Sequence, residues 1–83
     1  MKLNAAVTMV ETEYGWVLLD ERAGEFFSLN PTGVLAVQAL LDGAGLDDAV
    51  RQITTRYAVD AATARADVED LLQQLEQAQL VTT

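Results

Sequence analysis

A short strand that stops abruptly at a helix start is the feature that most constrains the fold of this chain. Residues Glu25 to Leu29 are aromatic-rich and follow Gly24, which is typical of a β-strand bounded by a turn. Asn30 is a good N-cap, and Pro31 suits the first helical position because no N–H is needed there. The sequence therefore predicts a change from strand to helix at Asn30.

The first thirty residues predict an antiparallel meander. Strand-like segments lie at residues 6–12, 16–20 and 25–29, and Gly15 and Gly24 can supply the positive φ of the turns between them. Two short connections in succession imply antiparallel neighbours in the order one-two-three. The third strand is then an edge strand, with unpaired backbone N–H and C=O groups along one side.

The remaining residues predict three helices, at about 31–42, 46–57 and 61–79. Gly43 ends the first helix, and Asp60 caps the third. The chain is thus expected to be one α+β domain over residues 1–83, with a three-stranded antiparallel sheet followed by three helices. The apolar stripes are Val34, Leu35, Val37 or Ala39, Leu40 and Leu41; then Leu46, Ala49, Val50, Ile53 and Tyr57; and then Ala61, Ala64, Val68, Leu71, Leu72, Leu75 and Leu80.

Composition indicates a folded cytoplasmic protein. Apolar residues make up 51% of the 83 residues, which argues against disorder. Cysteine is absent, no run of 18 apolar residues occurs, and Met1 to Asn4 is not followed by the apolar stretch of a signal peptide. We therefore expect neither disulfides nor a membrane span.

Charge argues against a nucleic-acid partner. Thirteen acidic residues against five basic ones give a net charge of −8. Nucleic-acid binding depends on clustered Lys and Arg, whereas the five basic residues here are scattered. The acidic excess can attract basic peptides by long-range steering, or it can serve solubility alone. The basic residues are Lys2, Arg22, Arg51, Arg56 and Arg65.

The residues do not form a recognisable active site. Without His or Cys, the chain has no Ser-His-Asp triad, no cysteine nucleophile and no histidine metal site. Asp42, Asp47 and Asp48 lack the alternating pattern of a calcium loop. The carboxylates Glu69 and Asp70 occupy helix positions expected to face water. We therefore predict a protein that is not an enzyme and that carries no metal or cofactor.

Asp67 and Phe26 each allow two interpretations. Asp67 precedes Val68 at the margin of the buried helix face, where it is either a solvated acid or a partner for a bound peptide. Adjacent strand residues point to opposite sides of a sheet. Since Phe27 shares the inward face with Leu29, Phe26 lies on the outer face, where it is either an ordinary exposed aromatic or a peptide contact.

The chain resembles the PqqD-like family of small proteins, which recognise the leader peptides of ribosomally made, post-translationally modified peptides (RiPPs). The resemblance begins with Asp20-Glu21-Arg22 before the strand-to-helix junction. It is closest to the stand-alone leader-binding proteins of lasso-peptide biosynthesis. The matching segments are Trp16 to Asp20, Gly24 to Asn30, Gly33, Leu41 to Gly43, Ala66 to Leu72, and Leu75 with Gln79 to Val81.

The resemblance implies a winged-helix-like fold and a leader-binding function. In the family, the leader adds as a strand to the third strand, and its side chains enter a groove against the third helix, which is β-augmentation. In lasso pathways the bound leader is then passed to a separate leader peptidase. The corresponding residues here are Glu25, Phe26, Phe27, Ser28 and Leu29 on the strand, and Ala64, Asp67, Val68, Leu71 and Gln74 on the helix.

Two other functions share this architecture. A winged-helix DNA-binding regulator would need a basic recognition helix, but the second helix offers only Arg51 and Arg56, which are offset by Asp47 and Asp48. A dimerisation module would use the same edge strand for pairing between two copies. The leader-binding interpretation predicts a monomer whose partners are the precursor leader and the peptidase.

Overall fold

The elements follow the predicted order, with two short strands added at the chain ends. The computed structural model describes residues 1–82. The α+β, winged-helix-like class, with a three-stranded antiparallel sheet and three helices, is confirmed. The elements are β1 Lys2–Leu3, β2 Val7–Thr12, β3 Gly15–Asp20, β4 Glu25–Ser28, α1 Pro31–Leu41, α2 Leu46–Arg56, α3 Ala61–Gln77 and β5 Val81–Thr82.

The main sheet has the predicted order β2-β3-β4, and both pairs are antiparallel. Leu18 lies at its centre, opposite Met9 on one side and Phe27 on the other, and is fully buried. The third predicted strand is β4, which pairs only with β3. The prediction that this strand forms an edge of the sheet is therefore confirmed.

The pairing of β1 with β5 was not predicted from the sequence. Lys2 lies opposite Thr82, and Leu3 lies opposite Val81. Two-residue strands are too short to show an alternating apolar pattern, so the sequence gives no signal for them. This pairing holds the first residues of the chain against the segment that follows α3.

Side-chain caps begin α1 and α3 where the sequence predicted them. The Asn30 carboxamide oxygen accepts a hydrogen bond from the Gly33 N–H at 2.7 Å. The Asp60 carboxylate accepts one from the Thr63 N–H at 2.8 Å, and this bond lowers the pKa of Asp60 below its ordinary value. The α3 helix ends at Gln77, two residues before the predicted end, because Gln79 adopts a left-handed conformation with φ of +59°.

The core consists of two adjoining clusters, one among the helices and one between the sheet and the helices. Two expectations about buried positions were wrong. Ala61 is exposed, because it occupies the first helical position next to the Asp60 cap. Ala36, which lies outside the expected α1 stripe, is fully buried. The buried positions of α1 therefore combine small residues with Val37 and Leu40, and Val34, Leu35 and Leu41 are only half-buried.

A hydrogen-bonded pair holds the turn between β3 and β4 in place. Asp20 is only 8% exposed, and its two carboxylate oxygens accept hydrogen bonds from the Arg22 guanidinium, each at 3.0 Å. These bonds hold the pKa of Asp20 below its ordinary value. Arg22 also donates to the Gln79 carbonyl oxygen at 2.9 Å. The start of β4 is thereby fixed to the end of α3.

Candidate functional site

The hydrogen-bonding groups of Phe26 and Ser28 face the open edge of β4. The Leu29 N–H donates to the Trp16 carbonyl oxygen at 2.9 Å, so Leu29 and Trp16 form a hydrogen-bonded pair. In an antiparallel ladder such pairs alternate with non-hydrogen-bonded pairs. With Leu18 opposite Phe27, the backbone of Phe27 therefore points to β3. The N–H and C=O groups of Phe26 and Ser28 point away from β3, where an added strand could bond to them.

The side chains of β4 alternate as the sequence predicted. Phe27 is half-buried against the core cluster between sheet and helices, and Leu29 is buried in it. Phe26 is 66% exposed and lies opposite Leu19 on the outer face of the sheet. The outward position of Phe26 is therefore confirmed, while a contact between Phe26 and a peptide stays a prediction.

A groove of about 500 Å³ runs beside β4. It exists because β4 and α3 make little backbone contact, while α3 packs closely on α2. Residues from the first turn of α1 and from the C-terminal end of α2 complete its lining. Its lining residues are Phe27, Ser28, Leu29, Asn30, Thr32, Gly33, Ala36, Ile53, Tyr57, Val59, Ala64, Asp67, Val68, Asp70, Leu71 and Gln74.

The groove brings together most of the residues that the sequence predicted for the peptide site. All five on α3 line it, together with three on the strand. Glu25 and Phe26 do not line it, since Glu25 lies at the start of β4 and Phe26 points to the outer face. The predicted residues in the lining are Phe27, Ser28, Leu29, Ala64, Asp67, Val68, Leu71 and Gln74.

Several lining residues were not predicted. Tyr57 and Val59 belong to the connection between α2 and α3, and Tyr57 is 39% exposed. Thr32 lies in the first turn of α1, where its hydroxyl donates to the Asn30 side chain at 3.1 Å. Tyr57 continues the apolar stripe of α2 by one turn, so periodicity placed it on this side of the helix. Nothing in the sequence indicates that the connection reaches the groove.

Two of the three arginines of α2 and α3, Arg51 and Arg65, are held in ion pairs, whereas Arg56 at the end of α2 forms none within residues 1–82. Arg51 contacts Asp48 at 3.3 Å, and Arg65 contacts Asp47. The hydrogen bond from Arg65 lowers the pKa of Asp47 below its ordinary value. With Asp47 and Asp48 in its first turn, α2 does not present the basic surface of a DNA recognition helix.

Metal-ligating side chains do not cluster in the described part of the chain. Within residues 1–82, no three carboxylates lie close enough to hold a metal ion. The sequence contains neither His nor Cys. None of the helices in this part of the chain combines the length and apolar composition that a membrane crossing needs. The groove offers main-chain hydrogen bonds, an apolar floor and carboxylates, which are features of a peptide-binding site.

The chain matches a known protein family over most of its length. Residues 15–81 match the family model of coenzyme PQQ synthesis protein D (PqqD), and the chain belongs to this family. It is a PqqD-like RiPP recognition element, as the sequence predicted. The chain has no significant match among curated proteins.

Two solved structures share the whole fold. A lasso peptide synthetase B1, complexed with the leader peptide, is 35% identical, with a TM-score of 0.90 over 99% of this chain and 96% of that one. TbiB1 in complex with the TbiA(β) leader peptide is 30% identical, with a TM-score of 0.81 over 96% of this chain and 93% of that one. Both similar proteins are thus leader-peptide complexes.

Proposed function

We propose that this protein binds the leader peptide of a ribosomally made precursor of the lasso-peptide class. The leader adds as a strand to the open edge of β4, and its inward side chains enter the groove against α3. The protein then delivers the bound leader to a separate leader peptidase. Its own role is recognition without catalysis.

The observation that carries this proposal is the open edge beside the groove. Phe26 and Ser28 offer two sets of N–H and C=O groups that have no partner within the sheet. An extended peptide can satisfy them, while its alternate side chains reach the groove. The two similar structures are complexes with leader peptides, which supports a peptide as the ligand.

The residue types of this chain support recognition of the leader peptide, followed by its transfer to a separate peptidase. Hydrolysis of a peptide bond requires an activated nucleophile or water; the chain has no His or Cys, and residues 1–82 hold no metal-binding cluster, so the activating groups of serine, cysteine and metal proteases are missing. Strand addition occupies only a few residues of a peptide, so the rest of the precursor stays accessible to a second protein. A purified leader should accordingly be bound and left intact.

The test is leader binding by a variant with a blocked edge. A fluorescent synthetic leader, taken from the precursor encoded beside this protein, is titrated with wild type, Ser28→Pro and Ser28→Ala. Proline removes the Ser28 N–H and places its ring at the open edge, but it leaves the bonds between β3 and β4 in place. We expect Ser28→Pro to weaken binding by at least about tenfold, since a hydrogen bond is lost and a ligand carbonyl stays unpaired. Ser28→Ala keeps the N–H and should bind like wild type.

Folding and delivery need separate measurements. Circular dichroism should show the wild-type spectrum for Ser28→Pro, because the lost N–H has no partner within the sheet. A folded Ser28→Pro that binds the leader as tightly as wild type would exclude strand addition at β4. For delivery, cleavage of the precursor by the separate leader peptidase of the same pathway should accelerate when this protein is added, and Ser28→Pro should abolish the acceleration.

A further inference from the structure

The lining of the groove carries negative charge without any positive charge. Among the described residues that line it, Asp67 and Asp70 alone are charged, and both are exposed on α3. Among residues 1–82, neither forms an ion pair with Lys or Arg. The carboxylates are not what makes this a site, because the open edge of β4 and the apolar floor already define it. They determine which peptide fits it best.

Apolar and acidic positions are arranged along α3 in a regular way. Ala64 and Val68 are buried at the floor, and Leu71 is half-buried one turn further on. Asp67 and Asp70 lie beside this apolar strip, on the water-exposed side. A Lys or Arg side chain can rest its aliphatic stem on an apolar surface and keep its charged head in water. Leu71 can support such a stem, with the carboxylates near the head.

Strand geometry restricts where the cation lies in the peptide. In an added strand, successive side chains point to opposite faces, and those two residues apart are separated by about 6.8 Å on the same face. One turn of α3 rises about 5.4 Å, so two inward side chains fit neighbouring turns of the helix. We call an apolar side chain of the peptide that enters the groove its apolar anchor. A Lys or Arg side chain on the same, inward face of the peptide therefore lies an even number of residues from the apolar anchor. A cation at an odd spacing points to the outer face with Phe26.

We propose that the groove selects an extended peptide with a cationic side chain two or four residues from its apolar anchor, through Asp67 and Asp70. This inference rests on the proposed function and names the chemistry of its ligand. The net charge of −8 adds long-range attraction for the same peptides.

Selection from a random peptide library tests the inference directly. The library displays peptides of about ten random residues, the upper length of a typical strand. It is selected in parallel on wild type, on the double variant Asp67→Asn/Asp70→Asn and on Glu69→Gln. Glu69 is an exposed carboxylate of α3 outside the groove lining, so Glu69→Gln is the matched control.

We expect wild type and Glu69→Gln to enrich Lys or Arg at even spacing from an apolar residue, and the double variant to lose this enrichment. A selected peptide should bind the double variant about three- to tenfold more weakly, the scale of exposed charge pairs, and the difference should shrink in high salt. Its counterpart with Gln in place of the cation should bind all three proteins alike.

Two failures can be told apart. Peptides whose binding survives Ser28→Pro do not use the edge, and that result contradicts the proposed function itself. Peptides that require the edge but show no cation at even spacing contradict only the charge preference. Enrichment that is the same for wild type and the double variant likewise overturns the roles of Asp67 and Asp70.

Discussion

Replacing Gln79 with glycine should stabilise the protein. Gln79 has φ of +59°, and the backbone around it forms a Schellman motif. The Leu80 N–H donates to the Leu75 carbonyl at 2.9 Å, and the Gln79 N–H donates to the Glu76 carbonyl at 3.0 Å. Glycine usually fills this position because it has no Cβ to oppose a left-handed conformation. The motif therefore forms here at a conformational cost that glycine would remove.

The size of the gain follows from two opposing effects. A left-handed conformation costs an L-residue about 1–2 kcal/mol. Glycine also makes the unfolded chain more flexible, which takes back about 0.4–1 kcal/mol. The Gln79 carbonyl oxygen accepts from Asn4 and Arg22, and glycine keeps that carbonyl. The free energy of unfolding should thus rise by about 0.5–1 kcal/mol, and Tm by about 2–8 °C for a domain of this size.

Thermal unfolding followed by circular dichroism measures the change, with urea unfolding as a second assay. Ala78→Gly is the matched control, because Ala78 is exposed with a right-handed φ of −80°. Glycine has no conformational advantage there and should lower stability by about 0.5–1 kcal/mol. If Gln79→Gly lowers Tm as Ala78→Gly does, the left-handed end of α3 is refuted.

Four further substitutions test the core with an exposed control, a cap and the buried acid. Leu75→Ala should cost about 2–5 kcal/mol in urea unfolding, because Leu75 is fully buried; Phe26→Ala, at an exposed position, should change stability by less than about 0.5 kcal/mol. Asn30→Ala should cost about 1 kcal/mol in the same assay, through loss of the α1 cap. The pKa of Asp20 is lower in the folded state than in the unfolded state, so its contribution to stability is complete above the unfolded-state pKa and is lost as pH falls through the folded-state pKa. Asp20→Asn should therefore make the acid side of the Tm-against-pH curve shallower. An unchanged slope would contradict the Arg22 contact.

Local signals account for the part of the fold that could be predicted from the sequence. Asn30 and Asp60 act on N–H groups three residues away, so the start of a helix is encoded within a few positions. The exposure of Phe26 follows in the same way from strand alternation. The groove wall on α3 was predicted from the resemblance, and helical periodicity then places its residues on one side.

Relations between distant residues account for the part that could not be predicted. The pairing of Lys2 with Thr82 joins the two ends of the described chain. The choice of Ser28 as an open-edge residue depends on which pairs of the ladder exchange hydrogen bonds, and apolar alternation is the same for either choice. The Arg22 contact with the Gln79 carbonyl has no local signal at all.

The strand-to-helix junction shapes the groove as well as the fold. A Cβ at Gly33 would lie 2.9 Å from the Asn30 carboxamide oxygen and 3.5 Å from a Leu71 methyl group. The absence of that Cβ thus leaves room for the α1 cap, while the distance to Leu71 is an ordinary van der Waals contact. Because β4 leads directly into this turn, the edge strand, the floor and the opposite wall of the groove meet at one small residue. A side chain at position 33 would therefore disturb the α1 cap beside the groove, whereas a change of the Phe26 side chain would alter only the outer face of the sheet.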